Sequence, residues 1–375
     1  TQSKTLKLIY QFVIYKIMVD FKHEEKYIRD EHIIQKYLEN IDFKNLISST
    51  DNTSYELQKQ MRDILDNERI NFEEINDLSV NTMHQLLDLI QEFDFTKDIT
   101  RGNYQDIVNK VFLILNYLSE QNGQQGSENT TPQIINIIIK EILSMQNSET
   151  LLDPCFGFGS LAITVGQNSK RIYGQEKNIE AYSIGKLNSL IANKDNYIEM
   201  EDSLINCNSS ADVVVCNSPF SMKAYNIEHY PLDYLKWGNP PIGNADYNFI
   251  SLVLDKMNDR GAIIVTDGVL FRGSKEAEIR KNIINDNLID GIISLPGGLF
   301  KNTAIPTNIM FFSKHKSNTD IFMLDARELF TKTRGGVDCS EESLQRIIST
   351  YKNKENIEGF SRYVSLEEVR DNEYI

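Results

Sequence analysis

Asn217-Ser218-Pro219-Phe220 brings together the groups needed to hold a flat heterocycle by its amino group. The Asn217 side-chain oxygen is one hydrogen-bond acceptor. Pro219 biases the preceding residue toward an extended backbone and adds no competing amide hydrogen, so the Ser218 carbonyl can be held in a fixed direction as a second acceptor. Phe220 offers a flat face, and stacking of a base on an aromatic ring is worth roughly 1 to 3 kcal/mol. The same tetrapeptide in isolation fits a strand that ends in an ordinary proline turn, with Phe220 in the core. Its place after Asp212-Val213-Val214-Val215-Cys216, beside a second motif, favours the pocket.

That second motif is Leu151-Leu152-Asp153-Pro154-Cys155-Phe156-Gly157-Phe158-Gly159-Ser160-Leu161-Ala162, a glycine-containing turn between a predicted strand and a helix. Glycine permits positive φ and close approach of backbone to ligand, and the helix start offers free amides. Glu176 follows about 20 residues on, at the end of the next predicted strand, where a carboxylate can accept from ribose hydroxyls. Together these describe a nucleoside pocket. Gly157, Gly159 and Ala162 alone also fit a tight turn without ligand, or the dinucleotide pattern of a nicotinamide-dependent dehydrogenase, which leaves residues 217–220 without a role. Asp202-Ser203-Leu204 follows the third predicted strand, where the Asp202 carboxylate can receive an adenine amino group or simply close a turn. The four cysteines, Cys155, Cys207, Cys216 and Cys339, lack zinc spacing and the five histidines form no ligand cluster, so free thiols and no metal are expected. Cys155 and Cys216 sit beside the two motifs with no basic neighbour in sequence, which marks them as unreactive.

These motifs need a sheet to position them. Short β-branched runs at 150–153, 171–174, 197–200, 212–216, 261–266, 289–295 and 307–312 alternate with helical patterns at 132–145, 179–192, 247–257 and 275–287. Seven strands in this order predict a doubly wound, Rossmann-like α/β sheet with ligands at the carboxyl ends of its strands. Before it, apolar residues recur at helical intervals and the polar stretch 121–129 suits a loop, so a helical domain over 1–125 and an α/β domain over 126–375 are expected. The 375 residues, 41% hydrophobic and 25% charged, exclude fibrous and disordered classes. No membrane span is supported, and the apolar opening at 6–19, broken by Lys7 and Lys16, reads as a helix and not a signal peptide, so a cytoplasmic location is expected. A net charge of -15 opposes unaided attraction to a polyanion.

In their order these stretches resemble the modification subunit, HsdM, of type I restriction-modification systems, an S-adenosylmethionine-dependent, adenine-specific DNA methyltransferase. The resemblance runs over about 128–366 and continues through Pro240-Pro241-Ile242-Gly243-Asn244-Ala245-Asp246-Tyr247 and Asp267-Gly268-Val269-Leu270-Phe271-Arg272-Gly273 to Leu299-Phe300 and Ile305-Pro306-Thr307. It implies a methyltransferase fold with S-adenosylmethionine held by Thr131, Asp153, Gly157 and Gly159, Glu176 on the ribose, and Asp202 and Ser203 near the adenine ring. Asn217 borders both ligands and, with Ser218, Pro219 and Phe220, grips a target adenine flipped out of the helical stack. DNA is expected to arrive through a separate specificity subunit, with a restriction subunit as a further candidate partner. Ser218 stands where the family usually has proline, Asn129 and Thr130 where it has two aromatics, and Phe158 where a small or hydroxyl residue is usual. The family's long helical tail after the closing segment 359–369 is expected to be missing. These departures carry a second expectation, a catalytically impaired homologue that serves as an assembly or regulatory module.

Overall fold

The computed structural model describes residues 130–192, 196–223, 233–300, 304–333 and 336–375. The helical domain expected over 1–125 and the loop at 121–129 lie outside the described residues. Two compact units are distinguished: Gly157–Gly159 and Asn178–Asn196 belong to one, and Glu128–Phe156, Ser160–Lys177 and Tyr197–Ile375 to the other.

The strands are β1 (Thr150–Asp153), β2 (Arg171–Gln175), β3 (Tyr197–Glu199), β4 (Ala211–Asn217), β5 (Met257–Thr266), β6 (Ile289–Leu295), β7 (Thr307–Ser313), β8 (Ile321–Asp325), β9 (Phe330–Thr333), β10 (Gly336–Cys339) and β11 (Ser361–Val364). The helices are α1 (Gln133–Leu143), α2 (Ser160–Val165), α3 (Ile179–Ile191), α4 (Asp246–Lys256), α5 (Gly268–Phe271), α6 (Lys275–Asn285), α7 (Glu341–Asn353) and α8 (Leu366–Asp371). All seven predicted strands and all four predicted helices form. The sheet nevertheless has nine strands, ordered β11-β8-β6-β7-β5-β4-β1-β2-β3, and β9 pairs with β10 apart from it. The pairings among β1 to β5 are parallel, whereas β7 runs antiparallel to both β5 and β6. The described residues of the short connection 296–306 hold no helix, and antiparallel neighbours need no crossover.

The central strands read as continuous apolar runs because both their faces are covered. Val214, Cys216, Ile263, Val265, Met310 and Phe312 share one core with Phe249, Ile250 and Val253 of α4 and Ile279 and Ile283 of α6. The alternating residues face the other way: Phe311 meets Tyr351 of α7, ring centroids 4.8 Å apart. In α1, Ile135, Ile138, Ile139 and Leu143 recur at three- and four-residue intervals and are buried, each contributing roughly 1.5 to 3 kcal/mol. That helix packs on α2 and α7, and it ends where Ser144 turns left-handed and donates its N–H to the Lys140 carbonyl. An aspartate at Ile139 would bury an unpaired charge there and break this packing. No helix among the described residues is long and apolar enough to cross a membrane.

Candidate active site

The chain lays β1, β2 and β3 outward in one direction and then returns to place β4 on the other side of β1. This reversal makes the carboxyl ends of β1 and β4 the topological switch point, the place where ligands bind in open α/β sheets. The two strands are direct parallel neighbours, Leu151 opposite Val213 and Leu152 opposite Val214. Their ends therefore bring Asp153 and Asn217 to the same edge. At this junction the neighbouring Cys216 thiol and then burial push the Cys155 thiol well up, and burial pushes Cys216 up, so both stay protonated.

Asp153 is buried, and its Oδ1 accepts the Cys155 N–H at 2.9 Å. Burial first, and the negative charge of Glu176 in addition, push its carboxyl up to about 7 against the Cys155 hydrogen bond. Glu176 follows β2, where its own N–H donates to the Glu199 carbonyl of β3 at 3.1 Å. Beside it, Gln175 donates from Nε2 to the Asn206 carbonyl at 2.7 Å, while its Oε1 is buried without a hydrogen-bond partner. Asp202 uses Oδ1 to accept the Leu204 N–H at 3.1 Å and Oδ2 to face Lys177 Nζ at 3.5 Å; the Lys177 side chain is 54% exposed. An ion pair that long and that solvated is worth at most about 1 kcal/mol, so this oxygen remains available to a ligand. Ser203, next in the turn, is buried.

Thr131 is buried, and its carbonyl accepts from Asn136 Nδ2 at 3.4 Å and Ser160 Oγ at 3.3 Å. Asn136 also donates to Ser160 Oγ at 2.7 Å, which ties the segment before α1 to the first residue of α2. Gly157 and Gly159, in the other unit, have φ of +53° and +83°, a region that residues with a Cβ rarely enter.

At the end of β4, Asn217 is half-buried, Ser218 is buried and Pro219 is exposed. Asn217 Oδ1 is buried and has no hydrogen-bond partner. Such an orphan costs roughly 1 to 3 kcal/mol, and it marks a place where a donor is missing. Among the described residues, no group of three or more His, Cys, Asp or Glu is arranged to hold a metal ion.

The sequence profile of the family described as N-6 DNA Methylase matches residues 103–375. The chain belongs to this family. The Type I restriction enzyme MjaVII methylase subunit of Methanocaldococcus jannaschii is 30% identical over 328 residues, 80% of this chain and 56% of that protein. The HindI methylase subunit of Haemophilus influenzae is 26% identical over 351 residues, 83% of this chain and 78% of that protein. The chain spans little more than half the length of the archaeal relatives, 56%, 55% and 57% of three of them. In fold it is similar to the type I restriction-modification methyltransferase subunit from Streptococcus thermophilus, with a TM-score of 0.79 and 21% identity over 99% of this chain and 92% of that one. Relatives described as methylases and methyltransferases favour neither an impaired assembly module nor a dehydrogenase.

In this member of the family, several site residues have long-range partners that motif reading does not supply. Phe300, just after the β6 end, meets Phe220 edge to face. Asp246, the first residue of α4, accepts from the loop after Phe220 and pairs with Arg272. Asn136 holds Thr131, and Lys177 faces Asp202. A weak signal for Asp246 exists in sequence, since a carboxylate in the first turn of a helix that is buried nearly all round needs a partner.

Proposed function

We propose that this chain is an adenine-specific DNA methyltransferase subunit of a type I restriction-modification system, acting on the amino nitrogen of a flipped adenine. The observation that carries the reading is the buried, unpartnered Asn217 Oδ1 at the β4 end, directly beside the β1 end that carries Asp153, with Glu176 after the adjoining β2. The family and fold imply S-adenosylmethionine as the cofactor. Two neighbouring carboxyls, one of them buried, suit a ligand with positive charge, and the described residues that would hold it are Thr131, Asp153, Glu176, Asp202, Ser203 and Asn217. Gly157 and Gly159 supply the positive-φ turn that follows β1.

When bound, S-adenosylmethionine supplies an electrophilic methyl group on a positively charged sulfur. The chain's own work is to hold the acceptor amine. Asn217 Oδ1 and the Ser218 carbonyl accept hydrogen bonds from its two N–H groups, which concentrates the nitrogen lone pair and offsets the positive charge that grows on that nitrogen until one of these protons leaves to solvent. Phe220 stacks on the ring and fixes its plane. An adenine inside a duplex cannot reach such a pocket, so the base must leave the stack.

With a net charge of -15 the chain opposes a polyanion, so delivery of DNA falls to a separate specificity subunit; a restriction subunit and a cytoplasmic setting belong to the same reading. The organisation proposed is a helical domain over 1–125 followed by the methyltransferase domain over 126–375. The test is transfer of a radiolabelled methyl group to adenine in DNA with the specificity partner present. Label on the adenine amino nitrogen supports the reading, and no transfer under any partner condition overturns it.

A further inference from the structure

The chain reverses sharply just after the target-gripping tetrapeptide. Ser221 has a φ of +52°, in the left-handed region, directly after Phe220. A serine gains nothing intrinsically from that conformation, so something outside the loop must hold it. Two hydrogen bonds do so, both from the segment that leads into α4. Ser221 N–H donates to Asp246 Oδ1 at 3.2 Å, and Ala245 N–H donates to the Met222 carbonyl at 2.7 Å.

Asp246 is itself fixed on every side. Its residue is 5% exposed, its own N–H donates to Asn244 Oδ1 at 2.8 Å, and its Oδ2 is paired with Arg272. The same guanidinium also pairs with the buried Glu276, and the Arg272 carbonyl is gripped by Arg280 Nη1 at 3.0 Å. A buried carboxylate costs a great deal unless paired and hydrogen-bonded, and here both conditions are met without any contact to Asp153, Glu176 or Asp202 being needed. We propose that Asp246 is a positioning residue: its carboxylate, held by Arg272, fixes the left-handed turn at Ser221 and so sets the direction in which Asn217 and Phe220 present themselves to the target base. The inference rests on the methyltransferase reading and adds to it a group that touches neither the base nor the cofactor.

A local role predicts a split that a general loss of stability does not. In Asp246→Ala the turn loses its acceptor, whereas Asp246→Asn keeps an oxygen for the Ser221 N–H and gives up the charge. Amide hydrogen exchange of the 218–223 segment should rise at least tenfold in the alanine variant and much less in the asparagine variant. With the DNA-delivering partner present, kcat for methyl transfer should fall at least tenfold in Asp246→Ala and be partly restored in Asp246→Asn, while S-adenosylmethionine affinity by calorimetry stays within about twofold of wild type in both. Unchanged exchange in Asp246→Ala, or a wild-type kcat in that variant, overturns the positioning role. So does a parallel loss of cofactor affinity, since that is what a merely structural residue would produce. A wild-type chain that methylates nothing overturns the methyltransferase reading instead, and the exchange comparison still decides whether Asp246 holds the turn.

Discussion

Phe220 and Phe300 meet edge to face, their ring centroids 5.1 Å apart and their planes at 83°. The first ring follows β4 and the second follows β6, so the stacking residue proposed for the target base is braced by a strand end from beyond β5 and β7. An aromatic pair of this geometry is worth about 0.5 to 1.5 kcal/mol beyond its buried area. Phe300→Leu keeps apolar volume but removes the edge contact, and methyl transfer should fall by roughly two- to tenfold. Phe220→Ala removes the stacking face itself, and binding of the flipped base should weaken by about 1 to 3 kcal/mol. Fluorescence of 2-aminopurine placed at the target adenine reads both effects. Equal signals from wild type and Phe220→Ala would show that the ring does not hold the base.

What was legible in the sequence follows from how local the signal is. The limits of Ile289–Leu295 are legible because a strand buried on both faces prints itself as an apolar run bounded by polar residues. Ser361–Val364 is not legible, since at the sheet edge only its first and last residues are buried. Glu341–Asn353 is not among the predicted helices, although Ser340 caps it and Leu344, Ile347, Ile348 and Tyr351 recur at helical spacing. In the site, Asn217 and Asp153 are legible because each ends a strand, a feature of the local chain. The partners Phe300, Asp246 and Arg272 make contacts across 25 to 80 residues of chain, and only the folded sheet order selects them.

Asp153 makes cofactor binding depend on pH. Its carboxyl is pushed up to about 7 from 3.8, by burial and then by the neighbouring Glu176 charge. Between those values the folded protein holds a proton that the unfolded chain has released, so the free protein loses stability as pH rises from 3.8 through about 7 and regains none above. A cationic ligand favours the ionised carboxylate and therefore requires that proton to leave. Affinity for S-adenosylmethionine should weaken below neutrality, by up to about tenfold per pH unit, and Asp153→Asn should flatten this dependence while lowering the plateau affinity. Calorimetry on either side of neutrality measures it. A wild-type affinity that does not change with pH would remove Asp153 from the cofactor site.

Gly174 lies one step before Gln175 and Glu176, and a Cβ there would sit 2.5 Å from Phe156 Cδ2 and 2.9 Å from Ile198 Cδ1. Both neighbours are buried, so neither has free space into which to retreat. Gly174→Ala should destabilise the protein by about 1 to 3 kcal/mol through overpacking. Adding Phe156→Leu, which removes the nearest ring, should recover part of the loss, because contacting residues are not additive. Denaturant unfolding of the two single variants and the double variant gives the coupling. A strictly additive cycle would show that the strain lies elsewhere in the sheet.

Asn217 separates function from stability most sharply. Its Oδ1 is buried and unpartnered, so the free protein bears a desolvation cost of roughly 1 to 3 kcal/mol to keep that acceptor ready. Removing the group relieves this cost, although the small space left behind gives some of the gain back. Asn217→Ala should therefore unfold within about 1 kcal/mol of wild type, and could be the more stable of the two. Methyl transfer should nevertheless fall by about two to three orders of magnitude, the size of loss seen when one fixed polar contact to a reacting group is deleted. Cofactor binding should fall far less than transfer, since Asn217 is one cofactor contact among several and the acidic residues at the ends of β1 and β2 are untouched. Denaturation and transfer measured on the same preparation test both halves together: a large loss of stability would mean that the oxygen has a structural partner, and undiminished transfer would mean that the amine is held by other atoms.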